Sequence, residues 1–148
     1  MKKQILIVLL SFIFLMGCSG TMPKLGIHNG QFMPCPDKPN CVNSQATNKE
    51  HFIQPLQFIG TSQDAQKRLL QILKSLDRTK IIVTQDNYIQ VEFTSKFFRF
   101  TDDVEFYFPA TKTEQITIYF RSASRIGHSD LGANRKRIEQ IRNKFEVN

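Results

Sequence analysis

Tyr88-Ile89-Gln90-Val91-Glu92-Phe93-Thr94 alternates without a break: Ile89, Val91 and Phe93 fall on one side of an extended chain, Tyr88, Gln90 and Glu92 on the other. Successive strand side chains point to opposite faces, so the run reads as a strand with one packed face and one wet face. The β-branched stretch Lys80 to Thr84 precedes it across the turn signal Asp86-Asn87, and the two make a hairpin. Two more strands follow. Val104, Phe106 and Phe108 alternate with Glu105 and Tyr107 up to Pro109. After a polar turn from Thr111 to Glu114, Ile116, Ile118 and Phe120 alternate with Thr117, Tyr119 and Arg121.

Helical spacing flanks these strands. From Ser62, a cap candidate, to Leu76, apolar Ala65, Leu69, Ile72, Leu73 and Leu76 recur at steps of three and four while Gln66, Lys67, Gln71 and Lys74 face outward. A closing helix has Ser129 or Asp130 as cap, Leu131, Asn134, Ile138, Ile141 and Phe145 on one side, and Arg135, Lys136, Glu139 and Arg142 largely on the other. The order helix-strand-strand-strand-strand-helix predicts a two-layer α+β domain: a four-stranded antiparallel sheet with two helices packed on one face. Its 148 residues, 41% hydrophobic and 22% charged, suit one modest core and exclude wholesale disorder.

The amino terminus reads differently. Lys2 and Lys3 precede the apolar run Ile5 to Met16, broken only by Ser11, and then come Gly17 and Cys18. This pattern is that of a signal peptide over residues 1–17. Twelve residues would span about 18 Å as a helix, too short for a hydrocarbon core of about 30 Å, so another anchor is required. Leu15-Met16-Gly17-Cys18 resembles the lipobox of bacterial lipoproteins. That resemblance implies diacylglycerol on the Cys18 sulfur, cleavage after Gly17 and acylation of the new amino terminus; several chains hold a protein stably where one does not. Ser19 is similar to an outer-membrane sorting signal, which implies the periplasmic face of the outer membrane. Residues 18–33, with Gly20, Pro23, Gly26 and Gly30, read as the lipidated terminus and a flexible tether, and residues 34–148 as a single globular domain. The formal charge is +7, and without Lys2 and Lys3 it is +5, a mild excess that suits anionic lipid while most basic surfaces are merely solvated. Nucleic acid is not an expected partner in that compartment.

With Cys18 consumed by lipid, Cys35-Pro36-Asp37-Lys38-Pro39-Asn40-Cys41 leaves an even cysteine pair outside the cytoplasm, which predicts a Cys35–Cys41 disulfide. The rival is a metal site of Cys35, Cys41 and His51 or His28, at a spacing wider than zinc pairs usually show. No metal and no cofactor is expected.

Two segments bear on function. Thr94 to Asp103 (TSKFFRFTDD) holds three phenylalanines beside Lys96 and Arg99 and could dip into a lipid interface. The favoured reading has Phe98 and Phe100 finish the core, because Asp102 and Asp103 would be repelled from an anionic surface. The second, Arg121 to Arg135 (RSASRIGHSDLGANR), leaves a strand, turns and begins a helix. Arginines and hydroxyls beside a helix start suit a carboxylate or phosphate, making Arg121, Ser122, Ser124, Arg125, Ser129 and Arg135 candidates for an anion site. The competing reading, which leads, is structural: Ser129 and Asp130 cap the helix, and Arg121 or Arg125 pairs with Asp130, Asp102 or Asp103.

CPDKPNC, the DDVEF of Asp102 to Phe106, and this RSASR–G–SDLG–NR run occur in that order, and together they resemble the domain-of-unknown-function family 1499 over about Cys35 to Phe145. The resemblance implies a bacterial or plastid-related protein, often lipid-anchored, and carries no catalytic residue across. His128, Ser129 and Asp130 are neighbours in sequence, whereas a catalytic triad draws its members from separated segments, so no reaction is read from them. The leading expectation is a membrane-anchored, non-catalytic binding or envelope-accessory module with a small anionic ligand or envelope protein as partner. The alternatives are a structural scaffold of the envelope and, behind it, a hydrolase.

Overall fold

A computed structural model describes residues 23–146 of the chain. The leader and the lipidation expectation at Cys18 lie outside the described residues. The elements are β1 (Cys41–Asn43), β2 (Leu56–Ile59), α1 (Ser62–Lys74), β3 (Thr79–Gln85), β4 (Tyr88–Thr94), β5 (Thr101–Tyr107), β6 (Gln115–Ser124) and α2 (Ala133–Glu146). The sheet is antiparallel with six strands in the order β1-β6-β5-β4-β3, while β2 also pairs with β6. The expectation of four strands is therefore corrected to six. β1 and β2 are three and four residues long, and both lie against β6, Cys41 opposite Ala123 and Leu56 opposite Ile118. Neither has enough alternation of its own to announce a strand; the partner makes them strands.

Alternation determines the two faces. Ile89, Val91, Val104, Phe106, Ile116, Ile118 and Phe120 bury against Ala65, Leu69 and Leu73 of α1 and Ile138, Ile141 and Phe145 of α2. Both helices therefore belong to one core, in which truncating a side chain such as Leu69 to Ala costs about 2–5 kcal/mol. Thr61, not Ser62, caps α1: its hydroxyl accepts from the Asp64 N–H at 3.1 Å. Leu131, expected on the buried side of the closing helix, is 96% exposed with φ +54° and precedes α2. The helix starts later because the Asp130 carboxylate accepts from the Gly132 and Asn134 N–H groups at 2.9 and 2.8 Å, in the manner expected of a cap.

The opposite face is not wet. Tyr88, Gln90, Asp103, Glu105 and Arg121 lie on it and are buried. Residues 26–32, assigned from sequence to the tether, pack over this face. The Gly26 N–H donates to Glu105 Oε1 at 2.9 Å, and the Phe32 ring meets Tyr107 edge-on at 6.4 Å. Between them His28 and Gln31 exchange backbone hydrogen bonds of 2.9 and 3.0 Å. The Gln45 side chain holds this turn, donating to the Gly30 carbonyl at 2.8 Å and accepting from the Phe32 N–H at 3.0 Å. The disulfide Cys35–Cys41 is formed, with Cα atoms 5.7 Å apart, and fastens the following segment to the start of β1.

Candidate functional site

β6 runs to Ser124, so the strand read from sequence as far as Arg121 continues through Ser122-Ala123-Ser124, where a turn was expected. Strand parity then separates the predicted anion-binding residues. Glu105 of β5 stands opposite Arg121, and Asp103 opposite Ala123, on the face beneath residues 26–32. Asp102 stands opposite Ser124, and Val104 opposite Ser122, on the face beneath the helices. Arg121 and Arg125 therefore work on one side of the sheet and Ser122 and Ser124 on the other.

On the first side Arg125 grips Asp103 bidentately, Nε to Oδ2 and Nη2 to Oδ1, both at 2.8 Å, and Nη2 also bonds Glu92. Arg121 Nη1 lies 3.4 Å from Glu105 Oε2, while Glu105 Oε1 accepts from the Tyr88 hydroxyl at 2.8 Å. Burial raises the Glu105 carboxyl above its ordinary range despite the N–H of Gly26, the Tyr88 hydroxyl and Arg121, all of which pull it down. Burial and the adjacent Glu105 push the Tyr88 phenol far up, so it keeps its proton and donates. Arg121 Nε and Gln90 Nε2 have no acceptor among the described residues.

On the second side Arg137, which was not singled out from sequence, donates to Asp102 Oδ2 at 2.5 Å and to the Asn134 Oδ1 at 2.6 Å. Asn134 joins the two serines, accepting from Ser122 Oγ at 2.5 Å and donating to Ser124 Oγ at 3.0 Å. The remaining candidates, Ser129 and Arg135, line a cleft of about 240 Å³ together with Pro39, Cys41, Glu50 and Asp130. Arg135 is already engaged there, donating to the Glu50 and Phe52 carbonyls at 2.9 and 3.0 Å. The six residues form no common site: four serve the sheet's internal network, and two line a cleft with acidic neighbours.

His128 is exposed, and the Asp130 carboxylate is committed to the start of α2, so the sequential His128-Ser129-Asp130 run assembles no triad. The metal alternative is overturned by the disulfide, which consumes both sulfurs; His51 instead bonds the Cys41 carbonyl through Nδ1 at 3.0 Å, and His28 is exposed.

The exposed chemistry gathers at one end of the sheet, where β4 turns into β5. Ser95 and Phe100 close the loop, with the Ser95 N–H donating to the Phe100 carbonyl at 2.8 Å and the Phe100 N–H to Ser95 Oγ at 2.9 Å. Arg99 takes the left-handed conformation, φ +54°, as the last residue of a four-residue hairpin loop. Contrary to the favoured expectation, Phe98 and Phe100 do not finish the core: Phe97 is 83% exposed, Phe98 73% and Phe100 42%. They contact each other instead, Phe98 and Phe100 stacking at 5.4 Å, with Lys96 Nζ 5.6 Å above the Phe97 ring. A cleft of about 310 Å³ beside the tip is lined by Arg78, Phe93, Ser95, Lys136 and Arg137, among others.

Residues 31–145 match the family described as "Protein of unknown function (DUF1499)", and the chain belongs to that family. No curated protein matches the chain.

Proposed function

We propose that this protein is a membrane-anchored lipoprotein of the cell envelope, held through Cys18 at the periplasmic face of the outer membrane, and that its domain is a non-catalytic binding or accessory module. The observation that carries the module reading is the direction of the charges. Arg121, Arg125 and Arg137, the groups best suited to chemistry on an anion, face into the fold and pair with Glu105, Asp103, Glu92 and Asp102. Among the described residues, the aromatic and basic end of the sheet and the two clefts described above offer surface for function. Buried ion pairs of this kind fix an architecture more than they strengthen it. The mixed lining of the smaller cleft, Arg135 and Ser129 with Glu50 and Asp130, suits a dipolar group better than a simple anion.

The anchor reading is supported by Leu15-Met16-Gly17-Cys18 and by the short stretch between Cys18 and Gly26, the first of the described residues hydrogen-bonded to the sheet. Cells expressing the wild-type chain should incorporate labelled palmitate into it and retain it with sedimented membranes. The Cys18→Ala chain should not be labelled, and a Cys18→Ala chain that is still labelled and matures normally would overturn the reading.

A further inference from the structure

We propose that the β4–β5 tip, Lys96 to Phe100, is a membrane-inserting element: Phe97 and Phe98 enter the boundary between headgroups and acyl chains, while Lys96 and Arg99 meet anionic headgroups. The inference rests on the anchor reading only for bringing the domain to the bilayer.

Aromatic rings at the end of a turn, with cationic side chains between them, match the chemistry of that boundary, where rings lose water and Lys and Arg heads keep it. Phe97 and Phe98 are adjacent, their rings find no core, and a closed loop presents them at the extremity of the longest hairpin. The charge objection raised by the sequence weakens in three dimensions. Asp102 and Asp103 are buried against Arg137 and Arg125, and Arg125 also meets Glu92, so these three carboxylates and two guanidiniums keep one negative charge, and it lies largely inside the fold. Exposed around the tip and the cleft beside it are Lys96, Arg99, Arg78 and Lys136, against Asp77, whose carboxylate lies 4.0 Å from Arg78; the acidic Glu50 and Asp130 line the other, smaller cleft. The surface is basic where the rings protrude, and each Lys or Arg near an anionic leaflet strengthens attachment several-fold.

The chain outside the described domain permits this pose. From Cys18 to Gly26 are eight residue steps, reaching about 26–29 Å when extended. Gly26 is bonded at Glu105, four residues along β5 from the tip-end residue Thr101, which is about 14 Å of strand. Acyl chains at Cys18 and the rings of the tip can therefore occupy one membrane plane.

The sequence has no tryptophan, so Phe98→Trp installs a single indole at the tip. The acylated Phe98→Trp protein is reconstituted into vesicles of phosphatidylethanolamine with phosphatidylglycerol, and its emission and quenching by brominated acyl chains are read on floated material. A shift to shorter wavelength with strong quenching is expected, and Ile59→Trp, exposed at the opposite end of the sheet, should remain unquenched. Combining the reporter with Lys96→Gln and Arg99→Gly, the latter matched to the left-handed backbone, should reduce the quenching several-fold with an unchanged melting temperature. Flotation scores the anchor, and the indole scores the tip. Protein that floats with a water-exposed indole overturns the tip while leaving the anchor; protein that neither floats nor is quenched overturns both. Quenching without acyl chains supports the tip alone. A shift that depends on protein concentration and not on lipid overturns the proposal in favour of a contact between copies of this chain.

Discussion

Arg125 bridges two strands: its guanidinium meets Asp103 of β5 and Glu92 of β4, and only 7% of its side chain remains exposed. Removing it strands the Asp103 carboxylate, itself 1% exposed, without a counter-charge. Breaking a buried pair from one side costs about 3–5 kcal/mol, and Arg125→Ala should lose that much in urea unfolding, whereas removal of a surface arginine in an ion pair costs about 0–1 kcal/mol. A loss under 1 kcal/mol would mean that the pair is solvated. Arg121 has less to lose, having one 3.4 Å contact and an Nε without an acceptor among the described residues. Its partner Glu105 makes a pH prediction. Burial raises this carboxyl in the fold above its unfolded value, so the fold binds the proton better. The stability this contributes is fully present below the unfolded value of about 4.3 and is lost as pH rises through the folded value. Relative to Glu105→Gln, the wild-type chain should therefore lose unfolding free energy as pH is raised from about 4 to about 8. A difference independent of pH would refute the assignment.

At the scale of elements, β1 is three residues long and holds its place by pairing with β6, by the Ser44 hydroxyl shared with the Phe120 backbone, and by the disulfide that precedes it. Opening so small a loop costs about 2 kcal/mol in the chain-entropy model. Cys35→Ser should lose about that much, reductant should then have no further effect, and hydrogen exchange should quicken at Cys41 to Asn43 but not in α1; uniform quickening would show that the bond holds the whole domain. The elements divide by whether their signal is local. β4 was legible to the residue because it alternates by itself, and α1 nearly so because Ala65, Leu69 and Leu73 repeat at helical spacing. β1, β2 and the last three residues of β6 were hidden because their partners confer the strand state. In the functional segments, the disulfide and the structural alternative for Arg125 could be read from residue types. The division of Arg121 from Ser122 could not, since what makes strand rather than turn there is pairing with β5 and β1, both distant in sequence. The phenylalanine tip was misjudged because Asp102 and Asp103 look like exposed charge in one dimension and are interior in three.

Taken whole, the molecule uses both faces of one sheet: hydrocarbon under the helices, ionic groups under the amino-terminal segment, and its exposed aromatics at one end. β6 is central to all of this, pairing with β5, β1 and β2 and reaching chain far upstream, as Ser44 and Phe120 lie 76 residues apart. Glu105 and the segment it secures at Gly26 are 79 residues apart. Contacts so distant in sequence make folding slow, because chain must be closed into large loops before any pairing rewards it. The early strands therefore have nothing to pair with until nearly the whole polypeptide has emerged. For a protein that crosses a membrane before it folds, as the proposed lipidation requires, that delay is useful: the polypeptide stays threadable for as long as the translocation channel needs it so.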